Sequence, residues 1–507
     1  MCTPSVDQTS FPKSPFNTIV FALAILLRFI SFSFSSNTGG DAWAREGITA
    51  TWLQHPSLQL NFGPWLPFHF WLMGGFATIL GGNVRIAGRL LSLLAGTASL
   101  FVFYKLVRTV FDDEAAQLGL VVFSLCSLDI AYSATSSSEA VYILFVLLGL
   151  LGYFRYRQLG KPQTLTFSGI FFSFAAATRY EAWSLIFAVA VLILVSVWRT
   201  SRQAPFSKAV RPFLLFALTA GFFPVLIMIN NWTKFHSLIY GVTMNHEWVA
   251  EQVAFAHVST LYRLSLFPGV LLLTLTPIVI VGALYGFFLS FRTAIGAEFA
   301  LVTVFFGAVQ LYQIAAGGEM AFARYTITLG TLLIPLGSLG LAEIFRQFPG
   351  KSRALRQAFV GILLLNLLAL WVLSATRNRF SEKVASISPI LRYPHRIESL
   401  AAFLQARLER DDHIVIDDYN SESNIVAQAL GLPLPTTSRA FLASLSPASE
   451  LRVYVEQQHP RYFIYAQKGV LEKTLPLECG LPPGFSSADV RCTYQNDVYR
   501  VYEVSYR

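Results

Sequence analysis

Apolar residues gather into stretches of about 18 or more over the first three quarters of the chain, each long enough to cross a hydrocarbon core of about 30 Å as a helix. Eleven such spans are predicted, near 16–35, 89–106, 115–132, 139–154, 164–178, 182–198, 212–230, 266–290, 297–315, 325–345 and 357–375. Between the first two lies a loop of about fifty residues with a pattern of its own. AWAREGITATWLQ has helical spacing. PWLPFHFWLMGGFATIL is apolar and aromatic, but it is broken by Pro and Gly and short for a span. Both read as helices lying along the membrane surface. After Thr376 the pattern becomes charged and mixed: HIVIDD and RYFIYA predict strands, and RIESLAAFLQARLE and PASELRVYVEQQ predict helices. The expected organisation is a mainly α, polytopic membrane domain over 1–376, with surface helices in the exterior loop 36–88, followed by a small exterior α/β domain over 377–507.

Composition agrees: of 507 residues, 54% are hydrophobic and 13% charged, against about 25% charged in an ordinary soluble domain. The net charge of +9 does not point to nucleic acid, because the basic residues are scattered through short loops and form no stripe. Lys105 and Arg108; Arg155, Arg157 and Lys161; Arg199, Arg202, Lys208 and Arg211; and Arg346, Lys351, Arg353 and Arg356 occupy every second loop. The positive-inside rule makes those loops cytoplasmic. The N-terminus is then cytoplasmic, while the loop at 36–88 and the C-terminal domain are outside. A further crossing at 65–81 would invert this distribution and is rejected. Lys13 precedes an apolar run too long for a signal peptide and without a clear cleavage site, so the run reads as an uncleaved first span. Cys479 and Cys492 sit together in the exterior tail and are a candidate disulfide, with two unpaired thiols as the equal alternative.

Charges are costly inside a bilayer, so their placement carries information. They collect at exterior ends of spans: Asp41 in GGDAW, Glu139 in TSSSEA, Arg179 and Glu181 in ATRYEAW, and Glu319 and Arg324 in GGEMAFARY. Arg28, inside the first span, is expected to snorkel outward. Taken singly, each has a plain structural reading: an interfacial anchor, a helix cap, or a local Arg179–Glu181 salt bridge. Taken together they describe one exterior cavity at the lipid boundary. Sugar transfer from a lipid phosphate needs a carboxylate to take the acceptor's proton and a cation for the departing phosphate. Asp41 fits the base, and Arg324 or Arg179 fits the phosphate, because a guanidinium matches phosphate oxygens with two parallel bonds. His69, Tyr180, Glu181, Glu319 and Tyr325 are the candidate substrate-binding residues around them. His69 has packing among aromatics as its simpler reading.

Four segments carry a resemblance: GGDAW; WLPFHFWLMGG followed by NVRIAGRLLSLLAGTASLFVFYKLVRTVF; TSSSEAVYILFVLLGLLGYFRYR; and GGEMAFARYTITLGTLLIP; ATRYEAW also looks like a motif of uncharacterised bacterial members. In order and spacing, over roughly residues 16–345, the chain resembles the integral-membrane glycosyltransferases of the GT-C fold. The resemblance is to bacterial relatives of dolichyl-phosphate-mannose protein mannosyltransferases and lipid A aminoarabinose transferases. It implies a polyprenyl-phosphate-linked sugar as donor and a protein, lipid or glycan as acceptor, in a bacterial inner membrane. It also implies inversion at the anomeric carbon, with Asp41 as base, Glu139 as a second acid and Arg324 near the lipid phosphate. Many relatives carry two adjacent acids where this chain has Asp41 followed by Ala42. That departure weakens the case for a metal; no cofactor is expected, and a divalent ion stays open. Glu46, five residues along the helix, is expected to point elsewhere. The rival readings are a transporter or flippase of lipid-linked sugars, which predicts broken helices and charges near the midplane, an oligosaccharide ligase, and a non-catalytic assembly factor.

Overall fold

A computed structural model of the chain describes residues 15–38, 41–201, 206–251, 259–316, 322–375, 386–417, 423–432, 439–442, 448–467, 469, 471 and 488–506. Gly39, Gly40, Glu319 and Cys479 lie outside them.

The first half comprises α1 (Pro15–Phe34), α2 (Ala42–Gln54), α3 (Phe68–Ile79), α4 (Val84–Val110), α5 (Asp113–Ser124), α6 (Ser127–Tyr132), α7 (Glu139–Leu159), α8 (Pro162–Ala176) and α9 (Glu181–Ser201). Then come α10 (Phe206–Ala220), α11 (Phe222–Phe235), α12 (Tyr240–Glu251), α13 (Thr260–Leu275), α14 (Pro277–Ser290) and α15 (Ala294–Ala315). A 3₁₀ turn at Ala323–Thr326 leads into α16 (Ile327–Gln347), which is followed by α17 (Ser352–Ala375). All eleven predicted stretches are helical. Among the described residues, six helices are long and apolar enough to cross a membrane, and two bent pairs raise the number to eight. The pairs are α10–α11, bent by 53°, and α13–α14, bent by 104°. The stretch at 115–132 is split between α5 and α6, and α8 has only 15 residues. α3, with 12 residues, rises about 18 Å, too little to span, as its Pro- and Gly-broken sequence predicts.

Polar residues set the helix ends. The side chains of Asn83, Asp112 and Thr293 accept backbone N–H bonds at the starts of α4, α5 and α15, and Gly160, with φ of 65°, closes α7. Between helices, small residues permit close approach. α14 and α16 meet at Gly282, Gly286, Gly337 and Gly340: a Cβ on Gly286 would fall 1.9 Å from the Leu336 carbonyl oxygen, and one on Gly340 2.1 Å from that of Gly282. Gly286→Ala is therefore expected to push the two backbones apart and to cost about 1–3 kcal/mol of stability, seen as a lower midpoint of heat unfolding in detergent. The outer faces are apolar, with Phe288 72% and Leu365 66% exposed, as the lipid-facing side of a membrane bundle is.

Arg28 does not snorkel. It is fully buried and ion-paired with Asp129 of α6, and its Nη1 also donates to the Ala24 carbonyl at 3.1 Å. The partner lies 101 residues away, inside another apolar run. The bundle thus contains both broken helices and a buried charge pair, features the sequence reading does not find.

The C-terminal part adds α18 (His395–Gln405), β1 (Ile414–Ile416), α19 (Ser423–Ala429), β2 (Ala440–Leu442), α20 (Ala448–Gln458), β3 (Tyr462–Ala466), β4 (Ala488–Gln495) and β5 (Tyr499–Tyr506). The sheet order is β2-β1-β3-β5-β4. β1 pairs in parallel with β2 and β3, and β5 pairs antiparallel with β3 and β4. One face is covered by Ile397, Leu400, Leu404 and Val426, the other by Leu451 and Val455, so β1 and β3 are apolar throughout. This unit is tied to the end of α1. Ser36 N donates to the Leu391 carbonyl at 2.8 Å, Leu391 N to Ser35 Oγ at 3.0 Å, and Ser31 Oγ to the Pro389 carbonyl at 2.7 Å.

Candidate active site

The chain leaves α1 and enters α2 at Asp41, which occupies the N-cap position of that helix while its side chain makes no capping bond. Asp41 Oδ1 accepts from Arg324 Nη2 at 3.0 Å, and Oδ2 accepts from Trp65 Nε1 at 2.9 Å. Arg45, one turn along α2, brings its Nη2 to 3.9 Å from Oδ2. Glu139, the first residue of α7, takes a 2.8 Å bond from Arg179 Nη1 and lies 3.9 Å from Arg324 Nε. Arg179 also donates to Glu181 Oε1 from Nε at 2.9 Å and from Nη2 at 2.6 Å. Tyr325 joins the two halves: its hydroxyl accepts from Arg324 at 3.3 Å, and its ring lies 5.5 Å beneath the Arg179 guanidinium. Three carboxylates, one at the start of each of α2, α7 and α9, thus meet three guanidinium groups at one end of the bundle. The opposite end holds the pairs Arg108–Asp113, Arg157–Glu298 and Arg346–Asp112.

Local structure explains the convergence. The backbone N–H of Phe68 donates to the Ala177 carbonyl at 3.0 Å, which ties the start of α3 to the ATRYEAW turn. Ser136 in TSSSEA donates to Glu46 at 2.5 Å, and its backbone N–H to Asn37 at 2.8 Å. Glu46 does turn away from Asp41: it is buried among Asn37, Ser136 and Arg85, and burial raises its pKa.

Burial pushes the Asp41 carboxyl up, but Arg324 and Arg45, with the bonds from Trp65 and Arg324, outweigh it and hold the group well below the usual carboxylate range. Burial pulls the Arg45 guanidinium down to about 10, so it stays charged at neutral pH. Its Nη1 is buried with no hydrogen-bond partner among the described residues, while the guanidinium stacks on Phe70 at 5.3 Å and Trp65 at 5.9 Å. His69 is fully buried beside these cations; burial first, then Arg45 and Arg179, keep it neutral.

Of the predicted site residues, Asp41, Glu139, Arg179, Glu181, Arg324 and Tyr325 share one network, and His69 adjoins it. Tyr180 is directed away, its hydroxyl against Gly241 of α12 and its ring on Trp183. Glu319 and Cys479 lie outside the described residues, and Cys492 is exposed on β4. Two residues were missed. Arg45 was legible, since i and i+4 share a helix face. Trp65, 24 residues from Asp41, gave no signal. Among the described residues no three His, Cys, Asp or Glu side chains gather as a metal site would require.

A bundle of this architecture, with its polar cluster at the end that carries two surface helices, is the GT-C fold of integral-membrane glycosyltransferases. Residues 55–228 match the family model of the dolichyl-phosphate-mannose-protein mannosyltransferases. The matched segment holds Trp65, Glu139, Arg179 and Glu181 but neither Asp41 nor Arg324. The whole chain is similar to ArnT from Cupriavidus metallidurans bound to undecaprenyl phosphate, at 12% identity and a TM-score of 0.64, over 97% of this chain and 98% of that one. It is also similar to the Archaeoglobus fulgidus oligosaccharyltransferase, at 12% identity and a TM-score of 0.52, over 89% and 69%. No curated protein matches by sequence.

Proposed function

We propose that the chain is a glycosyltransferase that moves a sugar from a polyprenyl-phosphate donor to an acceptor hydroxyl, with inversion, on the exterior face of a bacterial inner membrane. The observation that carries this is the Asp41 carboxylate set directly against Arg324 and Arg45 at the membrane-boundary end of the bundle. The acceptor hydroxyl attacks the anomeric carbon as its proton passes to Asp41, and the lipid phosphate leaves with the bonding electrons of the glycosidic C–O bond. Arg324 and Arg45 hold that phosphate, and Arg45 Nη1 and Arg324 Nε, both buried without a hydrogen-bond partner among the described residues, are donors that need no existing bond broken. Arg179 is paired with both Glu139 and Glu181 and acts by fixing Glu139. The basic residues at the opposite end support an exterior site. The ArnT structure holds undecaprenyl phosphate, and an oligosaccharyltransferase structure of the same fold holds dolichol-phosphate. Both support a lipid-phosphate donor here.

The test is transfer in proteoliposomes from a panel of radiolabelled polyprenyl-phosphate sugars, with membrane lipid and protein extract as acceptors. Labelled product is expected with one donor. The bent helix pairs and the buried Arg28–Asp129 pair are features a transporter would also have; donor crossing the vesicle bilayer without any transfer would replace the transferase reading with that one. Arg45→Gln is expected to raise the donor KM about ten- to a hundredfold, the worth of a charge-assisted bond. kcat should move less, because the phosphate is held before and during reaction.

A further inference from the structure

Asp41 stands between two attachments to the C-terminal domain. Before it, Ser31, Ser35 and Ser36 are hydrogen-bonded to Pro389 and Leu391. After it, Trp43 is 4% exposed and belongs to the apolar core of that domain, with Ile397, Leu400, Ala401, Val426 and Ile464. Among the described residues, no other side chain of the exterior loop is part of that core. Arg45, two residues further along α2, faces the opposite way and stacks on Phe70 of α3. The helix that presents Asp41 is thus wedged between α3 and the domain, with one large side chain from α2 sunk into the domain.

We propose that the C-terminal domain sets the position of the site carboxylate, and that Trp43 is the positioning residue through which it does so. Asp41 precedes Trp43 by two residues, so a rotation or shift of α2 moves its carboxylate against Arg324 and Trp65. Bonds of 2.9 to 3.0 Å leave little slack, and a misplacement of about 1 Å costs on the order of a hundredfold in rate. The ring, rather than the indole N–H, makes the connection, since Trp43 Nε1 is buried without a hydrogen-bond partner among the described residues. A domain held this way acts on the chemistry.

The inference rests on the reading of Asp41 as the base, and one assay separates the two. Wild type, Asp41→Asn, Trp43→Ala, Trp43→Leu and Trp43→Phe are compared in the proteoliposome transfer assay, with folding followed by thermal unfolding in detergent. Trp43→Ala is expected to lower kcat about ten- to a hundredfold with a smaller rise in donor KM, because Arg45 shifts with α2 but Arg324 stays in place. Trp43→Phe is expected to restore most of kcat. If Trp43→Ala does not fold, Trp43→Leu carries the test, with a smaller loss of kcat expected. Full kcat in a folded Trp43→Ala or Trp43→Leu, or in Trp43→Phe a loss as large as in Trp43→Ala, overturns the inference while Asp41→Asn stays inactive. Undiminished transfer by Asp41→Asn overturns the reading beneath it.

Discussion

Replacing Asp41 by Asn is expected to lower turnover by about 10²- to 10⁴-fold, the usual worth of a positioned general base, with the protein still folded and the donor still bound. The amide keeps the size of the carboxylate and one acceptor oxygen for Arg324 or Trp65, but it takes no proton. Asp41 also has a predictable pH dependence. In the free protein its pKa is held down by Arg324 and Arg45, so it is ionised throughout the neutral and mildly acid range. A carboxylate held so low is a poor base. A bound phosphate diester places a negative charge beside the same two guanidinium groups and draws them off Asp41, which raises the carboxyl's pKa toward the ordinary value of about 3.9. The acid limb of kcat, which reports the bound state, is therefore expected at higher pH than that of kcat/KM, which reports the free protein. Coincident limbs, or an Asp41→Asn protein with full turnover, would remove Asp41 from the proton transfer.

Breaking the Arg28–Asp129 pair is expected to have the largest effect on stability. Arg28→Met leaves the Asp129 carboxylate buried and uncompensated inside the bundle, at a cost of about 3–5 kcal/mol. The double change Arg28→Met with Asp129→Leu removes both charges and is expected to recover most of that loss. The measurement is the fraction of monodisperse protein left after heating in detergent, for each single variant and the double. Equal losses in single and double variants would mean that packing at these positions, and not the uncompensated charge, sets the stability.

The two cases show which parts of the molecule could be read from the sequence. Apolar runs give the helices, because burial in lipid demands them over a fixed length, and strands such as RYFIYA declare themselves by β-rich composition. Convergence of Asp41, Glu139, Arg179 and Arg324 was legible because charges are expelled to one boundary, which shrinks a three-dimensional search to a plane. Arg28 misled for the complementary reason. An arginine in an apolar run reads as an interfacial anchor until its partner is known, and that partner lay in a different run 101 residues away. The breaks between α5 and α6 and between α13 and α14 were equally hidden, since hydropathy does not register direction. β4 and β5, eight residues each, went unpredicted: ADVRCTYQ and YRVYEVSY mix charged with apolar positions, as a partly exposed antiparallel pair does.

The balance of three carboxylates against three guanidinium groups has a kinetic implication. A polyprenyl-phosphate sugar is a phosphodiester with a single charge, whereas the lipid phosphate left after transfer is a monoester carrying about −1.5 to −2 at pH 7. Arginines placed to steady the departing charge therefore grip the spent lipid more firmly than the incoming donor. On the proposed reaction, free polyprenyl phosphate is therefore expected to compete with donor for entry. Throughput would then fall as spent carrier builds up in the surrounding membrane and recover as it is recycled.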